Sequence, residues 1–147
     1  MAYWDTSALL KLYVDEPDSP KFWELLLASK DEVRTSTIAR TEMFCALRRK
    51  EQLGDLLTGG AAAVYARFCK DVEKGRVTLI SLTEDVHREA ERVGPPLSKK
   101  KPPLLLRSLD LIHLASALAA KSREVVATDV RLRDVTRAAG LRVLPRT

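Results

Sequence analysis

The chain has 147 residues, of which 46% are hydrophobic and 31% charged, and this predicts a single globular domain over residues 1–147. Its formal net charge of +5 favours an anionic partner such as a nucleic acid without requiring one. Cys45 and Cys69 both fall in helix-like apolar patterns, which excludes a disulfide framework and a thiolate zinc site. Buried free thiols in a reducing compartment are therefore expected.

The first residues contain no basic leader followed by a long apolar stretch, so neither a secretory signal nor a membrane anchor is predicted. The most apolar segment, residues 104–120, carries Arg107, Asp110 and His113, which argues against a membrane-spanning helix. A cytoplasmic protein is the expectation.

Short strand patterns alternate with longer helical patterns along most of the chain. Strands are predicted at residues 2–4, 32–36, 76–82, 124–128 and 141–144. One helix pattern begins near Thr83 and is predicted to end at residues 94–96, which read Gly-Pro-Pro, and the pair Gly59-Gly60 predicts a loop or a helix joint. The alternation predicts an α/β fold with parallel strands and crossover helices.

Two aspartates follow predicted strands. Asp5 comes directly after the first strand and precedes the helix pattern that starts at Thr6, and Asp129 repeats this situation ahead of Val130. Each suits a helix N-cap, whose carboxylate accepts backbone N–H bonds. The carboxyl ends of strands in an open parallel sheet are also where such folds build their sites, and the two roles are compatible.

Glu42 lies inside a helix pattern. At about 100° of helix rotation per residue, its side chain lies between those of Ile38 and Ala46, on the face of the helix that also carries the apolar residues of this segment. The alternative is a glutamate at the edge of the apolar stripe, paired to Arg49 or another base.

Asp110 lies in a segment, residues 104–118, that is apolar almost all the way round and has leucines at i−4 and i+4 from the acid. Such a helix is normally buried, so the charge needs a partner. The alternative is a first-turn aspartate in a helix that starts at Ser108. His113 is its neighbour three residues on, and we expect a core histidine satisfied by Asp110 or a backbone carbonyl rather than a metal ligand.

Taken together, the four acids predict a cation site. Parallel strands bring their carboxyl ends to one edge of the sheet, and helices that start there carry Glu42 and Asp110 to the same edge. Two carboxylates about 5 Å apart repel by about 3 kcal/mol at an effective dielectric near 20, so four of them need a divalent cation or must protonate. An all-oxygen cluster suits Mg²⁺ or Mn²⁺ better than Zn²⁺ or copper.

The reaction class that follows is metal-assisted phosphodiester hydrolysis. Ser7, two residues after Asp5, would orient a water or a phosphate oxygen, or would be an ordinary helix-start hydroxyl. Several basic residues are candidates for contacts to the substrate backbone, namely Arg40, Arg48, Arg49, Lys50, Lys99, Lys100, Lys101, Arg131 and Arg133.

Four segments in order resemble the PIN-domain family and, within it, VapC-type toxins. They are residues 5–13, the helix that carries Glu42, residues 109–115, and residues 128–132 ahead of 138–144. The resemblance covers nearly the whole chain. It implies a three-layer α/β/α PIN-like domain with a mainly parallel central sheet, and a Mg²⁺- or Mn²⁺-dependent endoribonuclease that is the toxin of a type II toxin-antitoxin system.

By this resemblance, Asp5, Glu42, Asp110 and Asp129 form the acidic quartet that holds the metal and catalyses cleavage, and Ser7 is a supporting hydroxyl. The partners that it implies are an RNA substrate, a cognate antitoxin and a second copy of the chain in a homodimer.

Two other readings stay open. One is a PIN-like RNA-binding module that no longer cleaves, which the basic residues 99–101 favour, as does Ala127 where relatives commonly have threonine. The other is a receiver-like phosphoacceptor. It fits poorly, because such proteins need an acidic pair after the first strand and a late lysine, where this chain has only Asp5 and Arg131.

Overall fold

Five parallel strands form one central sheet in the computed structural model, which describes residues 1–30 and 32–146. The strands are β1 (Ala2–Trp4), β2 (Val33–Ser36), β3 (Val77–Ile80), β4 (Glu124–Val126) and β5 (Arg142–Leu144). They lie in the order β3-β2-β1-β4-β5, and every neighbouring pair is parallel. All five predicted strands are confirmed in position, β1 with the predicted bounds and the others somewhat shorter.

The helices in the described residues connect these strands. They are α1 (Thr6–Leu10), α2 (Ser19–Ala28), α3 (Ile38–Gln52), α4 (Gly60–Glu73), α5 (Glu84–Ser98), α6 (Ser108–Ala119) and α7 (Val130–Ala138). Gly59 caps α4 with a φ of 84°, so the predicted break at Gly59-Gly60 is the joint between α3 and α4. This left-handed conformation favours glycine.

The sheet separates two apolar cores, because successive side chains of a strand point to opposite faces. Trp4 and Val126 pack with residues of α1 to α4 on one face, whereas Tyr3 and Val125 pack with residues of α5 to α7 on the other. The result is the expected three-layer α/β/α arrangement with a mainly parallel central sheet.

The strand order places a natural crevice between β1 and β4. The chain passes from β1 outward to β2 and β3, then returns to the other side of β1 for β4 and β5. In open α/β sheets, sites form at the carboxyl ends of the strands where the order reverses in this way. Asp5 stands at this point, and its backbone N–H donates to the carbonyl of Val126 at 3.0 Å.

Two expectations about helix ends are wrong. Helix α5 does not end at Gly94 but continues through Pro95 and Pro96 to Ser98. Both prolines face solvent, where water can satisfy the carbonyls left without a partner, while Val93 and Leu97 anchor the last turns in the core.

The apolar segment 104–118 is not helical throughout. Helix α6 begins at Ser108, and Arg107 before it has an extended backbone, so the alternative of a first-turn aspartate at Asp110 is confirmed. Leu106 therefore lies outside the helix and is not an i−4 neighbour of Asp110 along its surface.

The cysteines are free, but the prediction that both are buried is wrong, because Cys45 is exposed and Cys69 is half-buried. Cys45 falls outside the buried stripe of α3, which consists of Ala39, Met43 and Leu47. Within the described part of the chain, each helix is too short or too polar to cross a bilayer.

Candidate active site

All four acidic side chains of the predicted quartet line one open cleft at the carboxyl edge of the sheet. The cleft has a volume of about 720 Å³, and its wall includes Asp5, Ser7, Glu42, Arg49, Arg107, Asp110, His113 and Asp129. The fold thus brings the four acids to one cleft, as predicted. Their chemical surroundings, however, differ from one acid to the next.

Asp5 is 4% exposed and caps α1, where its Oδ1 accepts the backbone N–H of Ala8 at 2.9 Å. The hydroxyl of Ser7 donates to the same carboxylate, at 2.6 Å to Oδ2. The Ser7 oxygen in turn accepts the backbone N–H of Thr128 at 3.2 Å, which ties the loop after β4 to the start of α1. Asp5 is therefore the N-cap of α1 as predicted, and the Ser7 hydroxyl contacts its carboxylate.

Burial raises the pKa of Asp5 to about 6, even though the hydrogen bonds from Ser7 and Ala8 act to lower it. Desolvation dominates because almost no water reaches the carboxylate. A carboxyl group with such a pKa can gain or lose a proton near neutral pH.

Glu42 is held by a chain of polar groups that reaches into the sheet. The hydroxyl of Tyr3 accepts the backbone N–H of Ser36 at 3.1 Å and lies 2.6 Å from Nδ1 of His113. Nε2 of His113 lies 2.7 Å from Oε1 of Glu42, which also accepts the hydroxyl of Thr6 at 2.7 Å. The imidazole thus joins the Tyr3 hydroxyl to the Glu42 carboxylate, with one ring nitrogen on each.

This arrangement keeps Glu42 ionised. Burial by itself would raise its pKa, but the hydrogen bond and charge of His113 and the hydrogen bond from Thr6 together bring the pKa below its usual range. The expectation that His113 is a core histidine is met, since the residue is 4% exposed. Its expected partners were wrong, because the ring contacts Tyr3 and Glu42 rather than Asp110 or a carbonyl.

Asp110 has a different kind of partner, the guanidinium of Arg107. The Nε of Arg107 donates to Oδ2 of Asp110 at 2.9 Å, and the side chain of Asp110 is 11% exposed. Another nitrogen of the same guanidinium lies 3.7 Å from Oδ1 of Asp129, within ion-pair distance but too far for a hydrogen bond. Arg107 thus lies between two acids of the cleft.

Asp129 caps α7 as predicted, accepting the backbone N–H of Leu132 at 3.1 Å. Its side chain is 43% exposed, far more than that of Asp110. Water therefore reaches this acid, and it is the most open of the four.

Each of the four acids also has a polar partner from the chain itself. Among residues 1–30 and 32–146, no group of three or more His, Cys, Asp or Glu side chains could hold a metal ion as they stand. The four carboxylates nevertheless lie in one cleft, where the guanidinium of Arg107 contacts those of Asp110 and Asp129.

Of the basic candidates, Arg49 lines the cleft, whereas Arg40, Arg48, Lys99, Lys100, Lys101 and Arg131 are exposed outside its wall. Lys50 pairs with Glu16 at 2.7 Å. Arg133 was wrongly included among these candidates. It is 6% exposed, and its guanidinium donates to the carbonyls of Ala127, Leu144 and Pro145, so it holds the C-terminal strand in place.

Two residues whose side chains bind acids of the cleft, Arg107 and Thr6, were not predicted from the sequence. Arg107 precedes Asp110 by three positions, a spacing at which opposite charges meet on a helix and which could have signalled the pair. Thr6 could not be recognised, because its bond to Glu42 joins residues 36 positions apart.

The fold agrees with comparisons to known proteins. The PIN domain model matches residues 2–138, and the chain therefore belongs to the PIN domain family.

Among individual relatives, the chain is 35% identical over 130 residues to "Ribonuclease VapC47" of Mycobacterium tuberculosis (strain CDC 1551 / Oshkosh), a match that covers 86% of this chain and 81% of that protein. The predicted resemblance to VapC-type proteins is thereby confirmed. The fold is also similar to a chain in the crystal structure of VapBC2 from Rickettsia felis bound to a DNA fragment from their promoter. There the TM-score is 0.68 at 16% identity, and 97% of each chain is covered.

Proposed function

We propose that this chain is a metal-dependent endoribonuclease, a single PIN-like domain that acts as the toxin of a type II toxin-antitoxin pair. The observation that carries the proposal is the meeting of Asp5, Glu42, Asp110 and Asp129 in one cleft at the sheet's topological switch point. Similarity to a protein named as a ribonuclease supports the same conclusion.

The donor set fits Mg²⁺ or Mn²⁺. Both ions prefer carboxylate oxygens, and the pair Asp110 and Asp129 already faces a positive guanidinium in the cleft. Asp5, Glu42, Asp110 and Asp129 would hold the ion after their side chains move closer together, because no three of them could hold it as they stand. When bound, the ion would neutralise phosphate charge and lower the pKa of water.

The chain's own residues would divide the remaining work. The Ser7 hydroxyl and the backbone N–H of Ala8 would keep the carboxylate of Asp5 in place for the ion. Arg49 on the cleft wall would meet a phosphate of the RNA. Glu42, held ionised by His113, would add negative charge near the ion.

The proposed partners are an RNA substrate and a cognate antitoxin, with a homodimer as the assembly and the cytoplasm as the compartment. Support for an antitoxin comes from the fold shared with VapBC2 from Rickettsia felis, which was crystallised with promoter DNA. Arg40, Arg48, Lys99, Lys100, Lys101 and Arg131 are exposed and would extend the RNA path beyond the cleft.

A second candidate is an RNA-binding PIN-like module that does not cleave. The observation that favours it is that all four acids are already satisfied by protein groups. Under this reading, RNA binds without any requirement for metal.

The test compares the wild type with Asp110→Asn on a structured RNA pool, with Mn²⁺ or with EDTA, reading the new ends by sequencing. Asp134→Asn is the matched control, because Asp134 lies on α7 and pairs with Arg137 outside the cleft. We expect cleavage by the wild type and the control only with Mn²⁺, and a loss of roughly a hundredfold or more in Asp110→Asn. Equal cleavage by Asp110→Asn would contradict the proposal, and tight binding without cleavage would establish the second candidate.

A further inference from the structure

Arg107 is the feature of the cleft that the proposed function leaves unexplained. It precedes α6 directly, on an extended backbone with φ −97° and ψ 147°. Within the described residues, every hydrogen bond and ion pair of its guanidinium goes to Asp110 or Asp129, two acids proposed to hold the metal. The guanidinium therefore stands where a divalent ion would have to approach this pair.

The attachment of Arg107 is of a kind that can be broken. Its side chain is 45% exposed, so solvent can take over its hydrogen bonds when it leaves Asp110. Arg133 makes a useful contrast, since it is 6% exposed and donates to three backbone carbonyls. Arg133 is therefore part of the folded core, whereas Arg107 is held only by the charges of two side chains.

We propose that Arg107 is an exchangeable counter-charge, which occupies the position between Asp110 and Asp129 until a divalent ion displaces it and which thereby sets the apparent affinity of the site. The inference rests on the proposed metal dependence. A guanidinium is always protonated, so it cannot leave by losing its charge and must move away when the ion binds.

The consequence is a competition that can be measured. Because the ion binds only the fraction of molecules in which Arg107 has left the acids, its apparent dissociation constant exceeds the intrinsic one by the inverse of that fraction. Removing the guanidinium removes the competitor and leaves Asp110 and Asp129 without a positive neighbour. For an ion pair of this exposure we expect the gain in affinity to be roughly fivefold.

Calorimetric titration with Mn²⁺ tests the proposal on EDTA-treated and desalted protein. We expect Arg107→Gln to bind Mn²⁺ more tightly than the wild type. Arg123→Gln is the control for net charge, because Arg123 is exposed at the start of β4, at the opposite edge of the sheet, and this variant should bind as the wild type does. Equal affinities in Arg107→Gln and the wild type would overturn the inference.

A spectroscopic signal makes the exchange itself visible. The Nε–H of Arg107 donates to Asp110, so its proton should give an NMR signal that is missing in Arg107→Gln. Adding Mg²⁺ to the wild type should move or broaden this signal as the bond breaks. A signal that stays unchanged at saturating Mg²⁺ would mean that Arg107 remains in place, which would overturn the inference.

The same data separate this inference from the proposed function. Asp110→Asn should bind Mn²⁺ weakly in the same titration, which locates the ion in the cleft. If the wild type binds Mn²⁺ through Asp110 while Arg107→Gln gains nothing, only the role of Arg107 fails. If neither the wild type nor Arg107→Gln binds Mn²⁺, metal dependence fails and the role of Arg107 fails with it.

Discussion

The two sides of the cleft hold their acids in different ways. On one side, Asp5 and Glu42 are fixed by buried or half-buried hydroxyl, imidazole and backbone groups that belong to α1 and α6. On the other side, Asp110 and Asp129 share one exposed arginine. We call Asp5 and Glu42 the fixed side of the cleft, and Asp110 and Asp129 the exchangeable side. The two sides differ in the groups that surround the carboxylates and not in the carboxylates themselves.

The largest change in the free energy of unfolding should come from removing the buried charge of Asp5 on the fixed side. Because burial raises the pKa of Asp5 to about 6 from a usual 3.8, the ionised group destabilises the folded state above pH 6. Asp5→Asn keeps the N-cap and should raise the free energy of unfolding by about 3 kcal/mol at pH 7.5, measured by urea unfolding in EDTA. The gain should shrink as the pH falls from 6 towards 4.

Asp18 offers a control of opposite sign. The hydrogen bond from Lys11 lowers the pKa of Asp18, so its contribution stabilises the fold above the unfolded pKa and is lost as the pH falls. Asp18→Asn should therefore destabilise the protein at pH 7.5 and have less effect in acid. A gain in Asp5→Asn that did not change with pH would contradict the account of the fixed side.

The next largest change is expected from breaking the hydrogen-bonded chain of His113 and Tyr3 that holds Glu42. His113→Leu would leave the hydroxyl of Tyr3 without its imidazole partner in the core, which should lower the free energy of unfolding by about 1–3 kcal/mol. It should also raise the pKa of Glu42, because burial remains while the lowering partner is gone. Urea unfolding and carboxyl carbon NMR would measure the two changes.

The chain's other histidine, His87, is exposed on α5 and supplies the comparison. His87→Leu should change neither quantity. If His113→Leu were as stable as His87→Leu and left the pKa of Glu42 in place, His113 would not be what holds this acid.

A smaller effect is expected from Ser7→Ala, which removes a donor to Asp5 and the acceptor of the Thr128 N–H. The free energy of unfolding should fall by about 1 kcal/mol, and the pKa of Asp5 should rise further above 6, since one of the bonds that lower it is lost. Ser98→Ala, at an exposed hydroxyl, is the control. An unchanged Asp5 titration in NMR would show that Ser7 does not support this carboxylate.

The smallest effect is expected on the exchangeable side. Arg107→Gln removes a guanidinium whose side chain is 45% exposed, so the melting temperature in EDTA should stay within about 2 °C of the wild type by differential scanning calorimetry. A drop as large as that of His113→Leu would show that Arg107 is part of the fold. The distinction between the two sides of the cleft would then disappear.

Much of the fold could be predicted because its signals are local. Strand patterns and their spacing indicated a parallel α/β sheet, and Asp5 and Asp129 were recognisable as N-caps from their positions before helices. The start of α6 was harder to predict, because leucines continue on both sides of it and hide the boundary at Ser108. Apolar periodicity does not distinguish a buried extended segment from a buried helix.

The partners inside the cleft were less predictable because they are distant in the chain. Tyr3 and His113 are 110 positions apart and meet only because α6 packs on the face of the sheet to which Tyr3 points. No periodicity reports such a contact. The pair of Arg107 with Asp110 is different, because a spacing of three residues is local and could have been predicted.

The most direct test of the account is crystallographic. Crystals soaked in MnCl₂ would be measured at the manganese absorption edge, with crystals soaked in EDTA as the reference. The account predicts an anomalous peak in the cleft in contact with Asp110, and Arg107 turned away from both Asp110 and Asp129. A cleft without a peak, with Arg107 still bonded to Asp110 at saturating Mn²⁺, would contradict it.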